Sequence, residues 1–318
     1  MVKDFMKGKV ILAPMAGITD RAFREICSEE GADFVYTEMV SAKALCYGDK
    51  KTQGLLDMGE PGEEKTPYGI QIFGSEPEVI GEAVNRLNPR DHTLLDLNLG
   101  CPAPKVVKNG DGAALMKTPL KAKAVIEAAV KASSKPVTVK IRKGWDDEGI
   151  NDLEIAGIAE AAGAEMLTIH GRTREEFYSG TADWEAIRRV KKALNIPVIG
   201  NGDVFTGEDA KALFQKTGVD AVMVGRGVRG NPFIFREIKR VIEGKEKPEL
   251  HSEDFREVIL RHLKKAVAYK GEHTAVKEMR KHLGWYVKGR PHGAALKREI
   301  NHIESEAALV ALVKEYFA

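Results

Sequence analysis

Eight short runs of β-branched and aliphatic residues recur along this chain, each followed by a stretch that reads as helix. They are Val10–Ala13, Phe34–Thr37, Gly69–Phe73, Leu94–Leu97, Val137–Ile141, Met166–His170, Val198–Gly200 and Ala221–Val224. Several are apolar almost throughout, as expected of parallel strands covered on both faces. Between them lie amphipathic segments such as Pro119–Ala132 and Asn151–Ala162, with Gly163 and Gly218 placed as C-caps. Eight such units within about 240 residues predict a (β/α)8 barrel, a TIM-barrel α/β fold. A doubly wound sheet is the competing layout, but no Gly-x-Gly-x-x-Gly turn follows the first strand.

The rhythm stops near Ile242–Ser252, where Gly244, Pro248 and several charges read as a linker. Beyond it the pattern is helical, over Phe255–Tyr269, Ala275–Val287, Ala294–Ser305 and Glu306–Phe317. The expectation is a catalytic barrel over residues 1–243 and a small helical domain over 250–318. Net charge is only +2, but between Arg261 and Arg298 eleven Lys or Arg face two acids, Glu272 and Glu278, and four of the eight histidines lie there. Such a stretch reads either as a phosphate-backbone binder or as a solvated helical face.

No apolar run approaches the roughly 20 residues needed to span a bilayer. Met1–Lys9 has no hydrophobic signal core, so a cytoplasmic protein free of membrane is expected. Three irregularly spaced cysteines, Cys27, Cys46 and Cys101, exclude a disulfide framework and suggest no zinc site or other metal. The sequence is silent on oligomeric state, and a monomer is the default expectation.

In a barrel, catalytic groups gather where the strands end. Those ends carry Pro14-Met15-Ala16-Gly17, Glu38, Gln71 (within its strand), Asn98–Cys101, Lys140 with Arg142, His170 with Arg172, Asn201-Gly202-Asp203 and Gly225-Arg226-Gly227. The concentration of polar and glycine-rich groups points to an enzyme. The last two ends follow strands seven and eight, where barrels often hold phosphate on backbone N–H groups, with Arg226 adding charge. A phosphorylated metabolite and a flavin mononucleotide fit equally. Lys140 suits a Schiff base or the negative charge of a reduced flavin. Gln71 has the donor and acceptor that a flavin pyrimidine edge needs, and His170 is a further donor. Cys27 and Cys46 fall in or beside helix-like stretches, whereas Cys101 lies on a loop leaving strand four. There it is either a thiolate nucleophile or, more simply, a neutral thiol acting as general acid.

Several of these segments carry a family pattern. Ala13–Asp20, Gln71-Ile72-Phe73-Gly74, Asp96-Leu97-Asn98-Leu99-Gly100-Cys101-Pro102, Val139-Lys140-Ile141-Arg142, His170-Gly171-Arg172-Thr173, Gly200–Val204 and Val224–Gly227 together resemble the tRNA-dihydrouridine synthases, most closely the bacterial B-type branch. Met279–Tyr286 resembles that family's helical tRNA-binding region. The resemblance implies an oxidoreductase holding FMN at the barrel mouth, reduced by NADPH, that passes a hydride from flavin N5 to uracil C6 in tRNA. It implies protonation of C5 by Cys101. Flavin contacts fall to Pro14, Met15, Ala16, Gln71, Lys140, His170, Asn201, Gly202, Asp203, Gly225 and Arg226, and uracil contacts to Asn98, Arg142 and Arg172.

Overall fold

A computed structural model describes residues 2–57 and 66–318. Its strands are β1 (Val10–Leu12), β2 (Val35–Tyr36), β3 (Val40–Ser41), β4 (Tyr68–Phe73), β5 (Leu94–Asn98), β6 (Val137–Gly144), β7 (Met166–Thr173), β8 (Val198–Asn201) and β9 (Ala221–Val224). They pair in parallel in the order β1-β9-β8-β7-β6-β5-β4-β2, and the ring is closed by a parallel bridge from Ile11 to Phe34. The eight expected strands are therefore present as a closed barrel. The short β3, which pairs with β4 alone, is an addition the apolar pattern did not signal.

Side-chain alternation along each strand sorts the core into two shells. Val10 and Leu12 point outward into the layer shared with the helices, while Ile11 and Ala13 join Phe34, Leu94, Met166, Ile199 and Met223 inside the barrel. Each helix covers the outer layer with one stripe. In the Pro119–Ala132 helix, Pro119 occupies the first turn, where a missing N–H costs nothing, and Ala122, Val125, Ile126 and Ala129 are buried at helical spacing. Truncating Ile126 to Ala would cost on the order of 2–4 kcal/mol through the void it leaves. The Gly207–Thr217 helix begins with a capping box from Thr206 and Asp209, and Gly218 ends it in the left-handed region at φ 72°.

Two strands outrun their expected ends. β6 and β7 continue past Ile141 and His170 as a paired arm above the barrel rim, through Arg142↔His170 and, after a bulge, Gly144↔Thr173. Polar residues read as strand termini because an arm outside the core has no apolar periodicity to betray it.

The C-terminal region consists of helices Ser252–Lys270, Glu272–Tyr286, Gly293–Ile300 and Glu306–Tyr316. The third stops at Ile300, short of the expected Ser305, because the Ser305 hydroxyl accepts from Ala308 N and starts the last helix. These helices enclose their own apolar cluster, which also takes in Ala22, Ile26 and Phe233 from the barrel side. Phe23 lies against the rings of His262 and His282, at 5.2 and 4.9 Å between centroids. Around that aromatic centre, acids of the Arg21–Glu29 helix and its cap meet cations of the Ser252–Lys270 helix. Arg261 donates to Glu29 and Glu30, Lys265 to Glu25, and Lys270 to Asp20.

Candidate active site

The barrel register stacks inward-facing side chains in rings that grow more polar toward the strand ends. Above the apolar layer, Gln71↔Asp96↔Thr138 are in register across β4, β5 and β6. The next ring joins Asn98↔Lys140, then Arg142↔His170↔Asn201 across β6, β7 and β8. These last five side chains open into a cleft of about 240 Å³. That is room for a ligand far larger than a water molecule, whose share of liquid volume is about 30 Å³. Pro14, Met15 and Ala16 line it from the loop after β1, Gly100 and Cys101 from the loop after β5, and Gly202, Asp203, Gly225 and Arg226 from the loops after β8 and β9.

Charge in the cleft is unbalanced. Among the described residues, Lys140, Arg142, Arg226 and Arg229 line it, against the single acid Asp203. Burial pushes the Lys140 ammonium down to about 8, and the neighbouring Arg142 charge adds to the fall; its Nζ donates to Asn201 Oδ1 at 3.2 Å. Burial likewise lowers His170 well below the ordinary histidine range, with Arg142 and Lys140 contributing, so its ring is neutral at pH 7. Asp203 adopts a left-handed backbone at φ 53° and is held there by a two-pronged ion pair with Arg172 (2.9 and 2.7 Å), a bond to Arg226 (2.8 Å) and the N–H of Ala182. Beside it Gly202 has φ 138°, and a Cβ there would lie 2.6 Å from Ala182 Cβ; only glycine fits.

The backbone of Cys101 is held at both its N–H and its C=O. Asn98 Oδ1 accepts from the N–H groups of Gly100 (3.0 Å) and Cys101 (2.8 Å), and Ala113 N donates to Cys101 O at 3.1 Å. Burial raises its thiol above the ordinary range, although Arg142 and Lys140 pull the other way. The thiol therefore keeps its proton at neutral pH. Cys27 is wholly buried in a helix and Cys46 half-buried at the end of another, both away from the cleft.

Two expected site residues are not in the cleft wall. Gln71 lies one ring below, fully buried, with its amide engaged by Asp96 and Asn98. Arg172 is 1% exposed and braces the loop after β7, donating to the carbonyls of Ser179 and Gly180 as well as to Asp203. Arg142 does line the cleft, yet its guanidinium also donates to the carbonyls of Gly100, Thr173 and Phe177. Both arginines thereby hold a loop that sequence reasoning passed over. That loop sets the exposed rings of Phe177 and Tyr178 at the rim, and Phe205 joins them from the β8 loop. The Arg226 guanidinium lies 4.7 Å over the Tyr178 ring and 5.6 Å over Phe205. The adjacent Phe177-Tyr178 pair in an otherwise polar loop is the signal that could have found them.

Comparison with known proteins decides the family. The model described as "Dihydrouridine synthase (Dus)" matches residues 11–318. The chain belongs to the dihydrouridine synthase family. Within that family it is 41% identical to a "Probable tRNA-dihydrouridine synthase" of Rickettsia bellii, over 98% of this chain and 95% of the relative. It is 39% identical to "tRNA-dihydrouridine synthase B" of Shewanella oneidensis, over 98% and 96%. Among solved structures, histamine dehydrogenase from Rhizobium sp. 4-9 superposes with a TM-score of 0.56 at 15% identity, over 80% of this chain and 48% of that one, a likeness of fold alone. In this dihydrouridine synthase family member the basic C-terminal stretch divides into paired and unpaired cations. Of its eleven cations, Arg261, Lys265 and Lys270 are engaged by barrel acids, and Arg290 lies 3.8 Å over the Phe255 ring. His262 and His282 are buried and neutral, lowered by that burial, His262 to about 4. Lys264, Lys288, Lys297 and Arg298 are exposed, with no acid paired to them among the described residues. No helix among those residues is long and apolar enough to cross a membrane.

Proposed function

We propose that this protein is an FMN-dependent tRNA-dihydrouridine synthase of the cytoplasm that saturates the C5–C6 bond of a uridine at the expense of NADPH. One observation carries the reading. A protonated cysteine shares a single cleft with Lys140, neutral His170 and two glycine-containing loops, and the lining cations outnumber acids four to one. A flavin mononucleotide fits that chemistry at both ends. Gly202, Asp203, Gly225 and Arg226 offer backbone N–H groups and a guanidinium to its phosphate. Lys140 supplies the positive charge that a reduced ring needs nearby, with His170 as a neutral partner. Pro14, Met15, Ala16 and Asn201 complete the wall.

FMN held by these residues would supply the hydride that reaches uracil C6, with NADPH as the reductant that restores it. The protein's own task is the second hydrogen. Cys101 gives its proton to C5, which leaves a thiolate that the charges of Arg142 and Lys140 favour, and the thiolate regains a proton from solvent. Asn98 and Arg142 shape the uracil side of the cleft, while Arg172 acts on it through the loop it braces. A uridine in tRNA must leave its stack to reach this depth, at a cost of a few kcal/mol. Phe177, Tyr178 and Phe205 give neighbouring bases a surface to stack on. The relatives' names support tRNA as the substrate, and the exposed lysines of the C-terminal helices suit its backbone.

Purified protein is expected to show flavin absorbance and to convert uridine in bulk tRNA to dihydrouridine with NADPH. Cys101→Ala should keep its flavin and the flavin's reduction by NADPH, yet lose about a hundredfold or more in tRNA turnover. Protein that takes up no FMN, or normal turnover by Cys101→Ala, would overturn the corresponding half of the reading.

A further inference from the structure

Directly under the cleft floor lies a chain of buried polar groups that runs from Asp96 through Gln71 to Asn98. Asp96 is 1% exposed and Gln71 is 0% exposed. Thr138 Oγ1 donates to Asp96 Oδ1 at 2.5 Å, and Gln71 Nε2 donates to Asp96 Oδ2 at 2.7 Å. Asn98 Nδ2 then donates to Gln71 Oε1 at 2.8 Å, and Asn98 Oδ1 accepts from Gly100 N and Cys101 N.

A side-chain amide can turn over, exchanging oxygen and nitrogen, unless its neighbours forbid it. Here the order is forced from one end. An ionised carboxylate accepts and cannot donate, so Gln71 must turn its NH2 to Asp96. Its oxygen then faces Asn98, which must answer with its own NH2. That leaves the Asn98 oxygen aimed at two backbone N–H groups, one belonging to Cys101. With Gln71 reversed, Asn98 would have to reverse as well, and both bonds to the Gly100–Cys101 turn would be lost. Burial lifts the Asp96 carboxyl to about 6, while Gln71, Thr138 and Lys140 hold it down, so it is ionised at neutral pH.

We infer that Asp96 and Gln71 are positioning residues: through Asn98 they set the turn that carries Cys101 over the cleft. The role of that placement in turnover rests on Cys101 being the proton donor; the placement itself does not.

The test uses the purified protein with its flavin. The rate of Cys101 alkylation by iodoacetamide is followed by peptide mass, with fully buried Cys27 as internal control. Asp96→Leu, which keeps the forked shape but has no acceptor, should release the turn and raise the Cys101 labelling rate about threefold or more. It should also lower kcat for tRNA on the order of a hundredfold, the scale expected when a reacting group is misplaced by about 1 Å, and leave KM for tRNA nearly unchanged. Asp96→Asn can still present an oxygen to Gln71 and turn its NH2 to the Thr138 hydroxyl, so it should restore both readouts to near the parent. Should Asp96→Leu fail to fold, Gln71→Met breaks the same chain one link later. Parent labelling rates and parent kcat in a folded Asp96→Leu or Gln71→Met protein overturn the inference. Altered labelling together with normal turnover by Cys101→Ala would instead keep the chain's positioning role and remove Cys101 as the acid.

Discussion

The barrel mouth and the seam beneath the C-terminal helices are both rich in basic residues, but their cations meet opposite surroundings. At the mouth, Lys140 is driven down to about 8 by burial and by Arg142, which outweigh the pull of Asp96 below the floor, and Asp203 is the one acid among the described lining residues. At the seam, Lys265 and Lys270 are raised despite burial, because Glu25, Glu29, Asp20 and Glu278 surround them. A desolvated cation with no acid bonded to it keeps its attraction for an incoming anion, whereas a matched one contributes to holding two parts of the fold together. Basic composition alone does not distinguish the two; the neighbours decide.

The sharpest way to break that contrast is Lys140→Met. It should weaken FMN binding roughly a hundredfold, about 3 kcal/mol, as expected for a charge-assisted contact. Thermal unfolding of the flavin-free variant should stay nearly level, since removal of a buried charge is offset by loss of its attraction for Asp96. Equilibrium dialysis and calorimetry read the two quantities. The same contrast has a pH signature: FMN affinity of the parent should be full below pH 8 and fall above it, because Lys140 loses its proton more easily when the anion is absent. A fall in stability matching that of a seam variant would end the distinction.

A smaller effect, on stability alone, is expected at the seam. Burial opposes ionisation of Asp20, but the charge of Lys270, and the bonds from Lys270 and Phe23, hold it at about 2, below its ordinary 3.8. That lowering is worth about 2 kcal/mol, present above pH 4 and lost as pH falls toward 2. Lys270→Met should therefore lower unfolding stability by about 1–2 kcal/mol at pH 7, with the difference closing near pH 2, and leave flavin affinity alone. Urea titrations at the two pH values test it.

The smallest effect is expected at cations belonging to neither region. Lys288→Ala with Lys297→Ala should change stability by less than about 0.5 kcal/mol. If these residues touch phosphates, tRNA affinity should drop and its logarithmic salt slope shrink by about 1–2. An unchanged slope would leave them as solvated surface.

The sequence carried the barrel well because parallel strands buried on both faces announce themselves as apolar runs. It carried Cys101, Lys140 and His170 for a related reason, since a polar residue that ends such a run stands at the mouth. It said less about height and partners. Gln71, read as a flavin contact, lies a ring below the cleft wall, and Arg172, given to the uracil by the family resemblance, also braces its own loop, because strand parity alone cannot tell how high a side chain sits. The pairing within the Arg261–Arg298 stretch was not legible, because its partners lie more than 200 residues away in the Arg21–Glu29 helix. The rim rings Phe177 and Tyr178 were missed because aromatic residues in a loop leave no periodic trace.

The seam has a further consequence. Besides its ion pairs, Arg229 lies 5.1 Å over the Trp285 ring, Lys281 donates to the carbonyl of Gly17, and a Cβ on Gly230 would sit 2.5 Å from the Trp285 backbone. Contacts this close, from three separate loops and helices, make a poor hinge. Under the proposed reading the enzyme is then an anvil rather than a jaw: its two parts stay fixed, and the bending needed to bring a uridine to Cys101 falls on the RNA.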